Sequence, residues 1–265
     1  MSLYAEPRLV ADVNHCFFYH TITLPGIGVV KGSWDLHDLD AYLGQFDFHN
    51  KRVLDVGCAN GRLSFHIESQ GAAEVISFDL DKNGAWDIVP FARWESRDQV
   101  VADRKRLIDQ LNNAYWLGHR LLQSKARVIY GSAYAIPREI APVDVTVIGS
   151  ILLHLRDPFL ALQCAAELTQ EAIVVPEYDR GQALEGPYLR LLPDYRTVEP
   201  KDTWWDISPQ WLVQALGILG FEDTKISYHT QSYEGRPERC YTVVARRTAS
   251  AKATICRERS NLPEA

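Results

Sequence analysis

The sequence predicts an α/β protein built on a doubly wound, mostly parallel seven-stranded sheet with a C-terminal antiparallel hairpin. Two observations predict this class. Short β-forming segments alternate with helical ones between residues 51 and 178, which is typical of a parallel sheet covered by helices on both faces. The last two β-forming segments, 224–233 and 239–247, instead flank only the short turn EGRP, which is typical of an antiparallel hairpin.

The five parallel strands and their helices follow from local patterns. Strands are predicted at 51–57, 73–80, 126–132, 143–150 and 171–178. Helices are predicted at 62–71, 98–124, 157–169 and 208–220. The last helix has the clearest ends, because Ser208 suits the N-cap, Pro209 suits the first turn and Gly220 suits the stop.

Four segments organise the chain. Residues 1–50 are expected to form an N-terminal cap that faces the substrate, and residues 51–247 to form the main domain. Residues 179–205 are rich in Tyr, Trp, Pro and Arg and interrupt the alternation, so we expect an irregular insertion that acts as a lid. Residues 248–265 are polar, and we expect a flexible tail.

Composition excludes several classes of protein. The 265 residues carry a formal net charge of -6, which argues against a broad nucleic-acid interface without excluding a local one. Five scattered cysteines with no CxxC pair predict neither a disulfide framework nor a metal site, and favour a cytoplasmic location. No apolar run is long enough to span a bilayer, so no membrane partner is expected. The oligomeric state stays open.

In the stretch RVLDVGCANG at 52–61, a predicted strand is followed directly by a turn that contains Gly57 and Gly61. A phosphate-binding Walker loop is excluded, because Gly61 is followed by Arg62 rather than by Lys and Ser or Thr. A dinucleotide fingerprint is disfavoured, because Ala59 and Arg62 stand where glycines belong. A nucleoside cofactor without phosphates remains. Asp55 can organise the turn or pair with an amino group, and Asp79 can accept the hydroxyls of a ribose.

The motifs VLDVGCANG, ISFDLD and VDVTVIGSILLHLRDP occur in this order along the chain. Together they resemble the class I S-adenosylmethionine-dependent methyltransferases, and the resemblance covers residues 50–247. The resemblance implies a Rossmann-like fold and S-adenosylmethionine as cofactor. It also implies that Asp79 holds the ribose, that Leu80 packs on the adenine and that Gly149 lies under the sulfonium. Ser132 departs from the family pattern, in which an Asp is common. The remaining implied cofactor-binding residues are Gly57, Cys58, Ala59 and Gly61 for the methionine part, and Ser132 and Ala133 for the adenine edge.

Three further stretches, HTITLPGIGVVKGSW, LHLRDP and TWWDISPQWLVQALGILGF, are similar to the branch of tRNA wobble-uridine carboxymethyltransferases. Those enzymes hold the extra carboxylate of a carboxylated cofactor with a Lys, a Tyr and an Arg. Here His20 and Leu153 stand at the first two positions, and only Arg239 matches. Because a charged donor and a hydroxyl donor are replaced, the resemblance implies ordinary S-adenosylmethionine.

Methyl transfer requires an acceptor that is aligned with the methyl group. When the acceptor atom is an oxygen or a nitrogen, it also requires a base whose pKa lies near neutrality. The candidates are His154 after the fourth strand, His20 in the segment over the cofactor, and Glu177 at the end of the fifth strand. Two of them have a structural alternative: His154 as a loop-bonding histidine and Glu177 as an ion-paired surface acid.

The predicted acceptor is a small molecule, methylated at oxygen or nitrogen. The candidate substrate-binding residues are Trp34, Tyr178, Arg190, Trp204, Trp205 and Arg239. The tryptophans have core packing as an alternative, and Arg190 and Arg196 have a solvated role as theirs. Two other functions remain open: a tRNA-modifying transferase and a non-catalytic cofactor-binding protein.

Overall fold

The computed structural model describes residues 2–84, 86–93, 97–140, 142–181, 185–197 and 202–248. Twelve strands and five α-helices make up this part of the chain. The strands are β1 (Ile22–Leu24), β2 (Gly28–Val30), β3 (Trp34–Asp35), β4 (Arg52–Val56), β5 (Glu74–Asp79), β6 (Arg127–Tyr130), β7 (Val143–Ile148), β8 (Thr169–Tyr178), β9 (Leu189–Leu191), β10 (Trp205–Ile207), β11 (Asp223–Tyr233) and β12 (Arg236–Arg246). The helices are α1 (Leu39–Tyr42), α2 (Arg62–Ser69), α3 (Arg97–Leu121), α4 (Pro158–Leu168) and α5 (Pro209–Ile218).

Eight of these strands form the central sheet in the order β3-β11-β12-β8-β7-β4-β5-β6. Strands β4 to β8 run parallel, whereas β12 is antiparallel to both β8 and β11. The parallel strands are almost wholly buried, as expected when helices cover both faces. The carboxyl ends of the parallel strands therefore meet at one edge, where open α/β sheets bind ligands.

The seven strands predicted for this sheet are all present, and the C-terminal hairpin is confirmed. An eighth strand, β3, extends the sheet by pairing with β11 at Ser232 and Tyr233. This strand has only two residues, so no local period could reveal it. It ties the N-terminal segment to the hairpin.

The four predicted helices begin within one residue of their predicted positions, whereas α1 was not predicted. In α5, the Ser208 side chain accepts a hydrogen bond from the Trp211 amide, and Pro209 opens the first turn. The N-cap residue of α2 is Gly61, which has a φ of 80° and provides no side-chain cap. Side chains of α4 and α5 pack on one face of the sheet, and those of α1 and α2 on the other.

The insertion contains structure that the sequence did not indicate. Its strands β9 and β10 form a separate two-stranded antiparallel sheet in which Trp205 pairs with Leu191. The two strands are short and separated along the chain, so their pairing depends on tertiary contacts. Residues 182–184 and 198–201 of the insertion lie outside the described residues, as do 249–265 of the predicted tail. No helix among the described residues is both long and apolar enough to cross a membrane.

Candidate functional site

The turn between β4 and α2 has the backbone conformation that its glycines predict. Gly57, Ala59 and Gly61 have φ values of 81°, 50° and 80°. A Cβ on Gly57 would lie 2.1 Å from the Cγ2 atom of Ile151. The absence of a side chain at Gly57 therefore allows the loop after β7 to pack against the turn. A Cβ on Gly61 would lie 2.5 Å from the Phe65 ring. Glycine at these positions thus allows both the positive φ values of the turn and the close packing of side chains against it.

Asp79 holds the turn against the end of β5. Its Oδ2 atom accepts the Ala59 amide at 2.7 Å, and its Oδ1 atom accepts the Leu80 amide at 2.7 Å. Each carboxylate oxygen keeps a further lone-pair direction, so the group can still accept hydroxyl donors. Burial raises the pKa of this carboxyl, and the two amides oppose that rise. The arrangement fits the predicted ribose-binding role.

The predicted adenine-side residues lie at the same edge. The Gly131 amide donates to the Asp79 carbonyl at 2.9 Å, which brings the end of β6 beside Asp79. Ser132 follows directly, and its Oγ atom accepts the Tyr134 amide at 3.3 Å. Ser132, Ala133 and Leu80 are each half-buried, as a surface that contacts a ligand would be.

Asp55 is wholly buried beneath the turn, where it anchors a chain of hydroxyl groups. Its Oδ2 atom accepts Ser64 Oγ at 2.5 Å, Ser64 accepts Ser77 Oγ at 2.7 Å, and Ser77 meets the Tyr115 hydroxyl at 2.8 Å. Burial raises the pKa of Asp55 to about 7. Asp55 thus bonds the first turn of α2, and both of its predicted roles stay predictions. Cys58, also predicted to contact the cofactor, is buried near Asp55.

Asn60 is a site residue that the sequence did not identify. Its Oδ1 atom accepts the His20 amide at 2.8 Å, and its Nδ2 atom donates to the His20 carbonyl at 3.0 Å. Both side-chain groups of this fully buried residue are therefore used to bind the N-terminal segment to the glycine turn. The only signal was an amide side chain inside a glycine-rich turn, which is not specific.

The imidazole of His20 is buried over the turn, and its Nδ1 atom has no hydrogen-bond partner among the described residues. Burial and the nearby Arg62 charge lower the pKa of His20 to about 3, although Asn60 opposes the shift. His20 therefore stays neutral at physiological pH, which makes it a weak base.

Glu177 is 1% exposed at the end of β8. Burial raises its pKa to about 8, although the backbone amides of Tyr178, Leu153 and Leu152 favour the charged form. Its Oε1 atom has no hydrogen-bond partner among the described residues. The alternative of an ion-paired surface acid is excluded, because Glu177 is buried and forms no ion pair in the described part of the chain. A buried carboxyl that titrates near neutrality suits proton transfer.

His154 lies beyond β7, with its Nδ1 atom 2.7 Å from the Asp202 carbonyl. Because a carbonyl can only accept, Nδ1 must donate, and the lone pair is left on Nε2. Burial lowers the pKa of His154, and the charges of Arg104 and Arg180 lower it further. The loop-bonding role is thus shown, and it also fixes the tautomer that a base would require.

Aromatic side chains meet where the end of β8 approaches β3 and the end of β11. The Trp34 ring lies 6.2 Å from the Tyr178 ring and 4.9 Å from the Tyr233 ring. The Tyr178 hydroxyl donates to Glu238 at 2.7 Å. At the end of β7, Tyr42 bonds Ser150 at 3.0 Å, and its hydroxyl would lie 4.0 Å from a Cβ on Gly149. These contacts link β3 to the end of β8, and α1 to the loop after β7.

The two tryptophans of the insertion anchor it to the sheet edge. Trp204 Nε1 donates to the Asp87 carbonyl at 2.7 Å, and Trp205 Nε1 donates to the Leu155 carbonyl at 2.8 Å. The Trp204 amide also donates to the Leu153 carbonyl at 2.8 Å. These bonds favour a packing role for both side chains, and their role as pocket walls stays a prediction.

Two predicted substrate-binding arginines are held by aspartates. Arg190 pairs with the buried Asp206 at 2.9 Å, and Arg239 pairs with Asp179 at 2.9 Å. Both guanidinium groups therefore have a protein partner, which favours a structural role. Their contact with a substrate stays a prediction.

Other surface features lie away from this edge. A cavity of about 270 Å³ is lined by α4 and the segment after β6, including Cys164 and Tyr134. A second of about 80 Å³ lies between α1 and α2, beside His66 and Asp40. No group of three or more His, Cys, Asp or Glu side chains among the described residues could hold a metal ion. The glycine turn remains the place where polar and aromatic groups converge.

No protein-family model matches the chain. A tRNA U34 carboxymethyltransferase of Ectopseudomonas mendocina (strain ymp) is 26% identical over 186 residues, which cover 68% of this chain and 47% of that protein. The chain thus spans about half the length of the curated relative that it matches. This similarity supports the sequence resemblance to that branch.

Solved structures provide the comparison of folds. The N-terminal domain of EvdMO1, in the presence of SAH and D-fucose, has a TM-score of 0.50 and 14% identity, covering 86% of this chain and 90% of that chain. Magnesium protoporphyrin IX methyltransferase (ChlM) from Synechocystis PCC 6803, with bound SAH, has a TM-score of 0.48 and 13% identity, covering 79% and 81%. With the strand order of the central sheet, the likeness shows that the chain has the Rossmann-like fold of the class I S-adenosylmethionine-dependent methyltransferases.

Proposed function

We propose that the chain is an enzyme that binds S-adenosylmethionine and methylates an oxygen or nitrogen of a small planar molecule. The observation that carries this proposal is the glycine turn with Asp79 bonded across it, at the carboxyl edge of a sheet with methyltransferase strand order. When bound, the cofactor supplies an electrophilic methyl group on a sulfonium. The acceptor must be aligned with that methyl group and must lose a proton.

The residues of the edge fit the cofactor in three places. Asp79 has lone pairs free for two ribose hydroxyls, and Leu80 offers an apolar surface beside it. The positive-φ turn lets a ligand approach the backbone of Gly57 and Gly61. His20, held over the turn by Asn60, covers this space from the N-terminal side.

Glu177 is the proposed proton acceptor, with His154 as the second candidate. Burial raises the pKa of Glu177 to about 8 and leaves one buried oxygen without a partner in the described structure, so its ionised fraction, which grows as the pH rises toward 8, is the form that takes a proton from an acceptor hydroxyl or amine. His154 offers Nε2, because Nδ1 is committed to Asp202. The aromatic rings of Trp34 and Tyr178, which contact each other at the end of β8, suit a planar acceptor.

A tRNA-modifying activity is the second candidate, favoured by the similarity to the Ectopseudomonas mendocina protein. Binding of bulk tRNA in a gel shift, with affinity falling steeply as salt is raised, would support it over the small-molecule proposal. A non-catalytic cofactor-binding protein is the third, and it would bind cofactor without turnover.

The cofactor assignment is tested by calorimetry with S-adenosylhomocysteine. Asp79→Ala removes hydrogen bonds to a charged acceptor, each worth about 1.5–3 kcal/mol, so we expect at least roughly a tenfold loss of affinity. Asp81→Ala is the matched control, since Asp81 bonds only within its own turn in the described structure, to Asn83. Absence of wild-type binding, or tighter binding of NAD, would refute the assignment.

A further inference from the structure

Helix α3 connects the predicted cofactor edge to the insertion. Arg104, Ile108 and Asn112 lie one turn apart on one face of this helix, because residues four apart stack along an α-helix. Asn112 is buried, and its Nδ2 atom donates to the carbonyl of Leu80, directly after β5, at 3.2 Å. At the other end of the same face, the Arg104 Nη2 atom lies 2.6 Å from the Oδ2 atom of Asp202 in the insertion. One helix face therefore contacts both the insertion and the residue that is predicted to pack on the adenine.

Asp202 binds two partners with two different groups. Its carboxylate pairs with Arg104, whereas its backbone carbonyl lies 2.7 Å from His154 Nδ1. Only 22% of the Arg104 side chain and 23% of the Asp202 side chain are exposed, so water and salt screen this pair less than a surface pair. The guanidinium also lies against Trp86, with its Cζ atom 5.4 Å from the ring centre. Arg104 thus holds Asp202 in place, and with it the carbonyl that bonds His154.

We propose that Arg104 is a positioning residue which, by holding Asp202, keeps the His154 proton on Nδ1 and the lone pair on Nε2. A free neutral imidazole prefers the opposite tautomer, with its proton on Nε2, and the carbonyl reverses this preference because it can only accept. This inference rests on the proposed function, in which His154 is a candidate base. With the lone pair on Nε2, that atom can take the proton of the acceptor hydroxyl or amine, which leaves His154 as the imidazolium.

The test reads the tautomer of His154 from the NMR signals of its ring nitrogens, which distinguish a protonated nitrogen from an unprotonated one. The eight histidines of the chain are isotope-labelled, and the His154 signals are those that His154→Gln removes. Burial and the Arg104 charge lower the pKa of His154, so spectra are recorded at about pH 8, where the ring is neutral with or without that charge. We expect the wild type to carry its proton on Nδ1. In Arg104→Gln the population of the Nε2–H tautomer should rise roughly fivefold, which moves the two signals toward each other.

Matched variants separate positioning from other effects of the substitution. Arg104→Lys keeps a charged donor and should keep the wild-type tautomer. Asp202→Asn keeps the backbone carbonyl but removes the charge, so it should shift the tautomer as Arg104→Gln does, with no further shift in the double variant. Arg106→Gln is the control, because Arg106 is exposed on the same helix and pairs with Asp103.

Three results would each overturn the inference: an Nε2–H tautomer in the wild type, an unchanged tautomer in Arg104→Gln and Asp202→Asn, or an equal shift in Arg106→Gln. Faster trypsin cleavage after Arg196 in Arg104→Gln, with an unchanged tautomer, would assign Arg104 to anchoring of the insertion alone. If Arg104→Gln does not fold, Asp202→Asn decides the question by the same signals. Failure of the wild type to bind S-adenosylhomocysteine would refute the proposed function and leave the tautomer result standing.

Discussion

Four side chains in or beside the candidate site each keep a buried polar atom without a hydrogen-bond partner in the described structure: His20 Nδ1, Asp55 Oδ1, Arg62 Nε and Glu177 Oε1. Leaving such an atom unsatisfied costs about 1–3 kcal/mol, so a chain rarely keeps four of them without a compensating role. Under the proposed function, Glu177 and His20 gain their partners from acceptor or cofactor, whereas Asp55 lies beneath the turn.

The titration of Glu177 makes stability depend on pH. Its pKa is about 8 in the folded protein and 4.5 in the reference state, so between these values the folded state holds the additional proton. The free energy of unfolding should therefore fall as pH rises from about 4.5 to about 8. Asp55, with a pKa raised by burial to about 7, contributes in the same direction.

Glu177→Gln should remove the Glu177 share of this dependence. We expect the variant to gain about 1 kcal/mol or more relative to wild type between pH 5 and pH 8, measured by denaturant unfolding. Glu234→Gln, at an exposed hairpin position, should follow the wild type. Parallel pH profiles for wild type and Glu177→Gln would show that Glu177 does not hold a proton in this range.

The insertion is anchored to the sheet edge by three hydrogen bonds from Trp204 and Trp205. The pairing of β9 with β10 holds the two ends of the insertion together. Asp202, which precedes them, accepts from His154 and pairs with Arg104. Movement of this segment would therefore change the orientation of His154. If the insertion acts as a lid, as predicted, its movement would act on His154 through the bond to Asp202.

Trp204→Phe should loosen this anchor. The substitution leaves the Asp87 carbonyl without its donor, and we expect a stability loss of about 1–3 kcal/mol. Trypsin cleavage after the exposed Arg196 should become faster, and saturating S-adenosylhomocysteine should slow it. Tyr195→Phe, at a position 74% exposed, is the control and should behave as wild type. Unchanged cleavage in Trp204→Phe would remove the anchoring role.

Across the molecule, the groups that could hold a second cofactor carboxylate are poorly placed for it. His20 is neutral, Leu153 is an aliphatic core residue, and Arg239 is paired with Asp179. We therefore expect native mass spectrometry of the purified protein to show S-adenosylmethionine or S-adenosylhomocysteine, and no carboxylated form. In competition, the carboxylated cofactor should bind less tightly than S-adenosylmethionine. Retention of the carboxylated form from the expression host would show this expectation to be wrong.

Local patterns were sufficient for the strands of the main sheet, the glycine turn and the position of Asp79 at the end of a strand. Buried parallel strands carry continuous apolar runs, and a turn with positive φ values favours glycine, so both leave a signal in a few adjacent residues. The same reasoning placed Glu177 at the carboxyl edge, because that edge follows from the strands alone. The hairpin β11–β12 was likewise visible from its short turn.

Pairings between distant segments left no such signal. The two hydrogen bonds between Asn60 and His20 join residues that are 40 positions apart. Strand β3 and the β9–β10 sheet likewise form through tertiary contacts. The ion pairs of Arg190, Arg196 and Arg239 could not be read from composition, since an arginine's role depends on whether an aspartate reaches it. The burial that shifts the pKa of Glu177 and of His20 is also a property of the packed chain, because desolvation is set by every neighbour at once.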